Sequence, residues 1–80
     1  LEGANLRDTN LREIDLHNAD LQQVTFSQGD LSMANLEGAN LSVATLEQAT
    51  LYTAVLYKAN LREANLYKAD LREADLSQVD

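Results

Sequence analysis

The chain has 80 residues and a formal net charge of −7, with 13 acidic residues against six Lys and Arg. That balance argues against direct nucleic-acid binding, because contacts to phosphates need the opposite sign. There is no Cys and no Pro, so disulfide and thiol chemistry are excluded; no apolar run approaches the roughly 18 residues of a transmembrane helix, and no membrane role is expected.

From Leu1 the chain reads in fives without an insertion, from Leu1-Glu2-Gly3-Ala4-Asn5 to Leu76-Ser77-Gln78-Val79-Asp80. The first position is Leu in fifteen units and Phe26 in the other. The fourth is Ala in eleven, with Thr9, Ile14, Val24, Gly29 and Val79 departing, and the fifth is Asn or Asp in twelve, with Thr25, Thr45, Thr50 and Val55 departing.

A period of five fits neither standard element. On a helix five residues advance the side chain by about 140°, so the Leu would spiral round the axis without forming a stripe. On a flat strand an odd repeat sends successive Leu to opposite faces. The apolar positions are instead spaced three, then two. Spacing two suits a short extended side on which Ala4 and Leu6 point the same way. Spacing three suits a corner between Leu1 and Ala4, with Glu2 and Gly3 as its central residues. Gly3 and Gly38 suit the positive φ that the third position of a type II corner requires, and Asn18 tolerates it.

Sixteen in-frame units of this kind resemble the pentapeptide-repeat family, whose motif is Ala-(Asp/Asn)-Leu-X-X. The resemblance covers the whole chain. It implies an all-β fold, a right-handed quadrilateral parallel β-helix with four units to a coil, and hence four coils of 20 residues. In such a stack residue n lies over n+20, where like charges repel. No charged residue of this chain has another charged residue twenty positions away.

Taken in order, the first coil, residues 1–20, is the least regular and carries much of the acid. His17 points outward near Asp15 and Asp20. With no second His and no Cys it is read as a solvated surface residue, and no metal site is expected. The second coil, 21–40, holds the one aromatic core residue, Phe26, followed at the next inward position by Gly29, read as compensation for the volume of the ring. The third, 41–60, is the least charged and breaks the polar outward pattern with Val43, Tyr52, Val55 and Tyr57. The fourth, 61–80, is the most regular, with Arg62-Glu63, Tyr67-Lys68 and Arg72-Glu73 at its corners. One domain, 1–80, is expected. Its start at Leu1, in frame and without a signal-like stretch, is what an excerpt of a longer chain would show, so that a cytoplasmic location is favoured while any targeting segment lies outside it.

An interior filled with Leu and Ala leaves no concave site for catalysis, and one His without Cys supplies no nucleophile and base. Neither enzymatic activity nor a cofactor is expected. The recurrent Asn and Asp are assigned to nearby backbone amides. The leading reading is a non-enzymatic solenoid module that presents a rigid acidic surface to a protein partner. The resemblance also implies an alternative, since some members of the family mimic DNA towards type II topoisomerases and inhibit or protect gyrase. Here the acid is spread over all four faces rather than gathered into a strip. The partner surface is placed at Met33, Tyr52, Val55 and Tyr57. A second expected contact is end-to-end self-association, because the outermost coils leave backbone groups and Leu uncovered.

Overall fold

The computed structural model describes residues 1–80, and each unit carries the expected corner. At every third position φ lies between 56° and 73°. The N–H of the fourth residue closes the corner onto the C=O of the first, at 2.9 Å for Ala4 and Leu1. Thr9 departs, its hydroxyl donating to the Leu6 carbonyl at 2.6 Å. Only Gly3 and Gly38 are the residue type that this backbone prefers. Val43 and Thr53 are β-branched and still held at φ 60° and 57°, a region such residues rarely enter. The corner is therefore imposed by what lies above and below it more than by its own residue.

Parallel bridges join fifth positions twenty residues apart, from Asn5–Thr25 to Val55–Asp75. This register divides the chain into layers 1–20, 21–40, 41–60 and 61–80. Only one residue per unit is bridged, because the side between two corners is too short to build a longer strand. The parallel pairing thus takes the form of isolated bridges rather than continuous sheets.

The fifth residue has a second task. The Oδ1 of Asn5 accepts the N–H of Arg7 at 3.2 Å, Asp30 that of Ser32 at 3.0 Å, and Asn60 that of Arg62 at 3.0 Å. Every Asn or Asp at this position that has a residue two places on makes the same bond. A short polar side chain thereby satisfies the amide that enters the corner.

First and fourth residues point inward and fill the stack. Its 15-residue core runs from Leu21 to Ala59, entirely within the two inner layers. Phe26, Leu46 and their inward neighbours are fully buried, whereas Leu1 is 63% and Leu76 37% exposed. At Gly29 a Cβ would meet the Phe26 carbonyl oxygen at 2.9 Å and the Thr9 carbonyl oxygen at 3.5 Å. Backbone oxygens, rather than the Phe26 ring, are what press on this position.

The bonds between layers have a polarity. Between successive layers the N–H groups of first and third residues donate to the layer above, as Leu6 does to Thr25 and Asp8 to Ser27, while only the fifth N–H donates downward, as Thr25 does to Ala4. Two axial peptides per unit thus point their N–H towards the C-terminal end and one points the other way. A net dipole of one peptide, about 3.5 D, remains per unit, and the stack carries a partial charge of roughly half an electron at each end. Its positive pole is the C-terminal end, the reverse of an α-helix.

Candidate interaction surface

The stack measures 25 × 22 × 21 Å, contains no pocket and brings no cluster of metal-ligating side chains together. Whatever it binds meets its outer surface. The register places the corner Ser32-Met33 under the corner Tyr52-Thr53, and the Met33 N–H donates to the Tyr52 carbonyl at 2.9 Å. Val55 lies on the side that follows, bridged to Asn35 below and Asp75 above, and Tyr57 opens the next corner. The four residues thus occupy one side of the stack and its two bounding corners. Met33 is 43% and Tyr52 40% exposed; Val55 and Tyr57 are half-buried.

Tyr52 is not free. Its hydroxyl donates to Glu73 Oε2 at 2.8 Å, and the Arg72 guanidinium lies 5.6 Å from its ring centre. The Glu73 carboxylate, accepting that proton, raises the Tyr52 pKa above its usual value. Arg72 itself is anchored on Asp70 through Nε at 2.9 Å and Nη2 at 2.8 Å, which lowers the Asp70 pKa. The upper border of the surface is therefore a charged cluster, where the sequence led us to expect little charge. Tyr57 carries its own cation, with Lys58 Nζ 5.2 Å from the ring centre.

A feature of this surface went unread in the sequence. The residues that depart from Asn or Asp at the fifth position cannot cap the next corner in the same way, and the N–H groups of Ser27, Glu47, Tyr52 and Tyr57 donate to no protein acceptor. They follow Thr25, Thr45, Thr50 and Val55. The departures were visible as such; their consequence needed the cap to be seen elsewhere. Two of these open donors, Tyr52 and Tyr57, belong to the side that carries Met33 and Val55. Other exposed apolar side chains lie away from it: Val43, 48% exposed, stands at the diagonally opposite corner of the same layer, and Tyr67 on another corner of the layer above.

His17, on the outer layer, is paired with Asp15, Nδ1 to Oδ1 at 2.7 Å. The hydrogen bond to Asp15 raises the His17 pKa and lowers that of Asp15. Asp30 is lowered chiefly by the Ser32 hydroxyl and amide, with Arg12 Nη1 at 3.5 Å adding to it.

A five-residue unit stacked at twenty-residue register around a filled interior defines a β-solenoid repeat protein. The chain belongs to the pentapeptide-repeat family, whose model of eight repeat copies matches it twice, over residues 1–38 and 39–78. Its fold is similar to that of HetL, a pentapeptide repeat protein involved in heterocyst differentiation regulation in Nostoc sp. strain PCC 7120, with a TM-score of 0.97 at 36% identity over 99% of this chain and 37% of HetL. Rfr23 from the cyanobacterium Cyanothece 51142 matches all of this chain and 59% of its own at 34% identity, TM-score 0.55. A further pentapeptide repeat protein of Nostoc matches 85% of this chain and 60% of its own at 37% identity, TM-score 0.57. The chain thus spans less than two thirds of each of these proteins. Among curated proteins none matches it.

Proposed function

We propose that residues 1–80 form one domain, a right-handed quadrilateral β-helix of four coils, and that it serves as a non-enzymatic docking module for a partner protein. The partner surface is the side bounded by Met33, Tyr52, Val55 and Tyr57. The observation that carries this reading is the coincidence, on one side of the second and third layers, of outward apolar side chains with the open N–H groups of Tyr52 and Tyr57. A partner that inserts carbonyl or carboxamide oxygens there satisfies donors which every neighbouring Asn or Asp satisfies from within, while its apolar groups cover Met33 and Val55. Tyr and Met are residue types enriched in interface cores.

The test is a comparison of the chain with its Tyr52→Ser, Val55→Asn, Tyr57→Ser variant in crosslinking and pull-down from its own host. Val55→Asn closes the Tyr57 amide while it removes the apolar group. We expect the variant to keep its circular dichroism and to lose a partner that the unaltered chain retains. Retention of every partner would place the binding surface elsewhere.

A further inference from the structure

Each apolar or aromatic residue of the partner surface has a carboxylate beside it in a neighbouring layer. The bond from the Glu13 N–H to the Ser32 carbonyl, 2.9 Å, sets Glu13 under the corner of Met33. The bond from the Gly38 N–H to the Tyr57 carbonyl, 2.8 Å, sets Glu37 under the corner of Tyr57. Asp75 is bridged above Val55, and Glu73 accepts the Tyr52 hydroxyl. Glu13, Glu37 and Asp75 are exposed and form no ion pair. The cations of this side are engaged elsewhere: Arg12 on Asp30, Arg72 on Asp70 and Lys58 over the Tyr57 ring, while His17 is held by Asp15. An apolar centre with open amides is thus rimmed by three unpaired carboxylates.

Resting on the docking surface proposed above, we infer that its occupant is an extended basic segment of a partner protein, with an apolar residue at its centre and a Lys or Arg two places to either side. Charge complementarity selects the sign, since an acidic segment would set like charges against Glu13, Glu37 and Asp75. The open N–H groups of Tyr52 and Tyr57 select an extended backbone. A helix commits its carbonyls to its own hydrogen bonds, whereas an extended segment has carbonyls to give. The layer spacing selects the pattern of the segment. From Glu13 in the first layer to Asp75 in the fourth is three steps, about 14 Å at a spacing of about 4.8 Å. In an extended segment running along the stack, residues i−2 and i+2 are about 13 Å apart and point the same way as residue i. With the apolar residue over Met33 and Val55 in the two middle layers, the flanking cations reach the carboxylates below and above.

An amide NMR titration of the chain with end-blocked peptides tests this. Lys-Thr-Leu-Thr-Lys should move the signals of Tyr52, Val55 and Tyr57, and bind about tenfold more weakly at about 1 M than at about 0.1 M salt. Glu-Thr-Leu-Thr-Glu should bind about tenfold more weakly than the basic peptide, and Lys-Thr-Ser-Thr-Lys about fivefold more weakly. The rim variant Glu13→Gln, Glu37→Gln, Asp75→Asn should lose about fivefold in affinity for the basic peptide, together with its salt dependence. Each substitution installs a residue type that other units hold at the same position, as Gln23, Gln22 and Asn60 do. The control Glu2→Gln, Glu47→Gln, Glu63→Gln makes the same change in net charge on the other two corners and should bind as the unaltered chain does. Circular dichroism confirms that each variant keeps the fold. Equal binding of the basic and acidic peptides at these amides overturns this inference alone and leaves the docking surface standing. So does a rim variant that binds like the unaltered chain, or a control that weakens as much. Signals that do not move with the basic peptide overturn the inference too, and pull-down with the Tyr52→Ser, Val55→Asn, Tyr57→Ser variant then decides separately whether the surface docks a partner at all.

Discussion

Layers 21–60 and the outer layers 1–20 and 61–80 are built from the same five-residue unit, yet they are physically different material. Leu46 and Leu66 occupy the same inward column one layer apart; Leu46 is fully buried and Leu66 only half-buried. The corners, the caps and the residue types hardly change between them. What changes is whether another layer lies on both sides. In a stack that contacts only its neighbours, stability is a sum of layer interfaces, so an end layer holds one where an inner layer holds two.

The largest expected effect comes from that difference. Leu46→Ala should cost about 2–5 kcal/mol in urea unfolding, Leu66→Ala roughly half as much, and the outward Gln48→Ala no more than about 0.5 kcal/mol. Equal losses at Leu46 and Leu66 would remove the distinction between inner and outer layers.

Next in size is the backbone. Val43 holds a left-handed φ of 60° on an exposed corner of an inner layer, so Val43→Asn should stabilise by about 1 kcal/mol, since Asn enters that region at less cost and the half-exposed side chain gives up little packing. A destabilised variant would show that Val43 packs against something beyond its corner. The caps offer a finer comparison between neighbouring sides. Thr50→Asn should supply the acceptor that the Tyr52 N–H lacks and raise stability by about 0.5–1.5 kcal/mol, with slower hydrogen exchange at that amide; Asn35→Ala should lose a similar amount and speed exchange at Glu37.

Protonation should have the smallest effect, and it differs along the stack. The carboxylates of Asp15, Asp30, Asp70 and Asp75 have pKa values lowered in the folded chain, so the stability they contribute is present above the ordinary carboxylate value and lost as pH falls through their folded values. His17 is raised, so its contribution is present below the ordinary imidazole value and lost as pH rises through the folded one. NMR titration should find His17 above 6.5, and Asp15→Asn should return it towards that value. A His17 that titrates identically in both would show that the pair does not persist in solution.

Much of the architecture was legible in the residues. The spacing of three and two predicted the corner between Leu1 and Ala4, the inward columns and the outward place of Met33. The absence of charge at n+20 agreed with the register that the bridges show. The assignment of Asn and Asp to nearby amides held at each position where a recipient exists. The surface was less legible. The twenty-residue register places Arg72 one coil above Tyr52, and their stacking is present; the hydrogen bond to Glu73, twenty-one residues on, is what the register did not announce.

What the sequence determined by itself is therefore whatever one unit can express: where the chain bends, which side chains turn inward and which fifth residues can cap a corner. These depend on contacts within about five residues, and the pattern repeats them sixteen times. Only the tertiary structure decided that Val43 and Thr53 hold a backbone they disfavour, and that the hydrogen bonds between layers run two to one towards the C-terminal end. Each of these is set by peptide groups twenty residues apart, whose orientation no single unit encodes and which come into reach only when the layers stack.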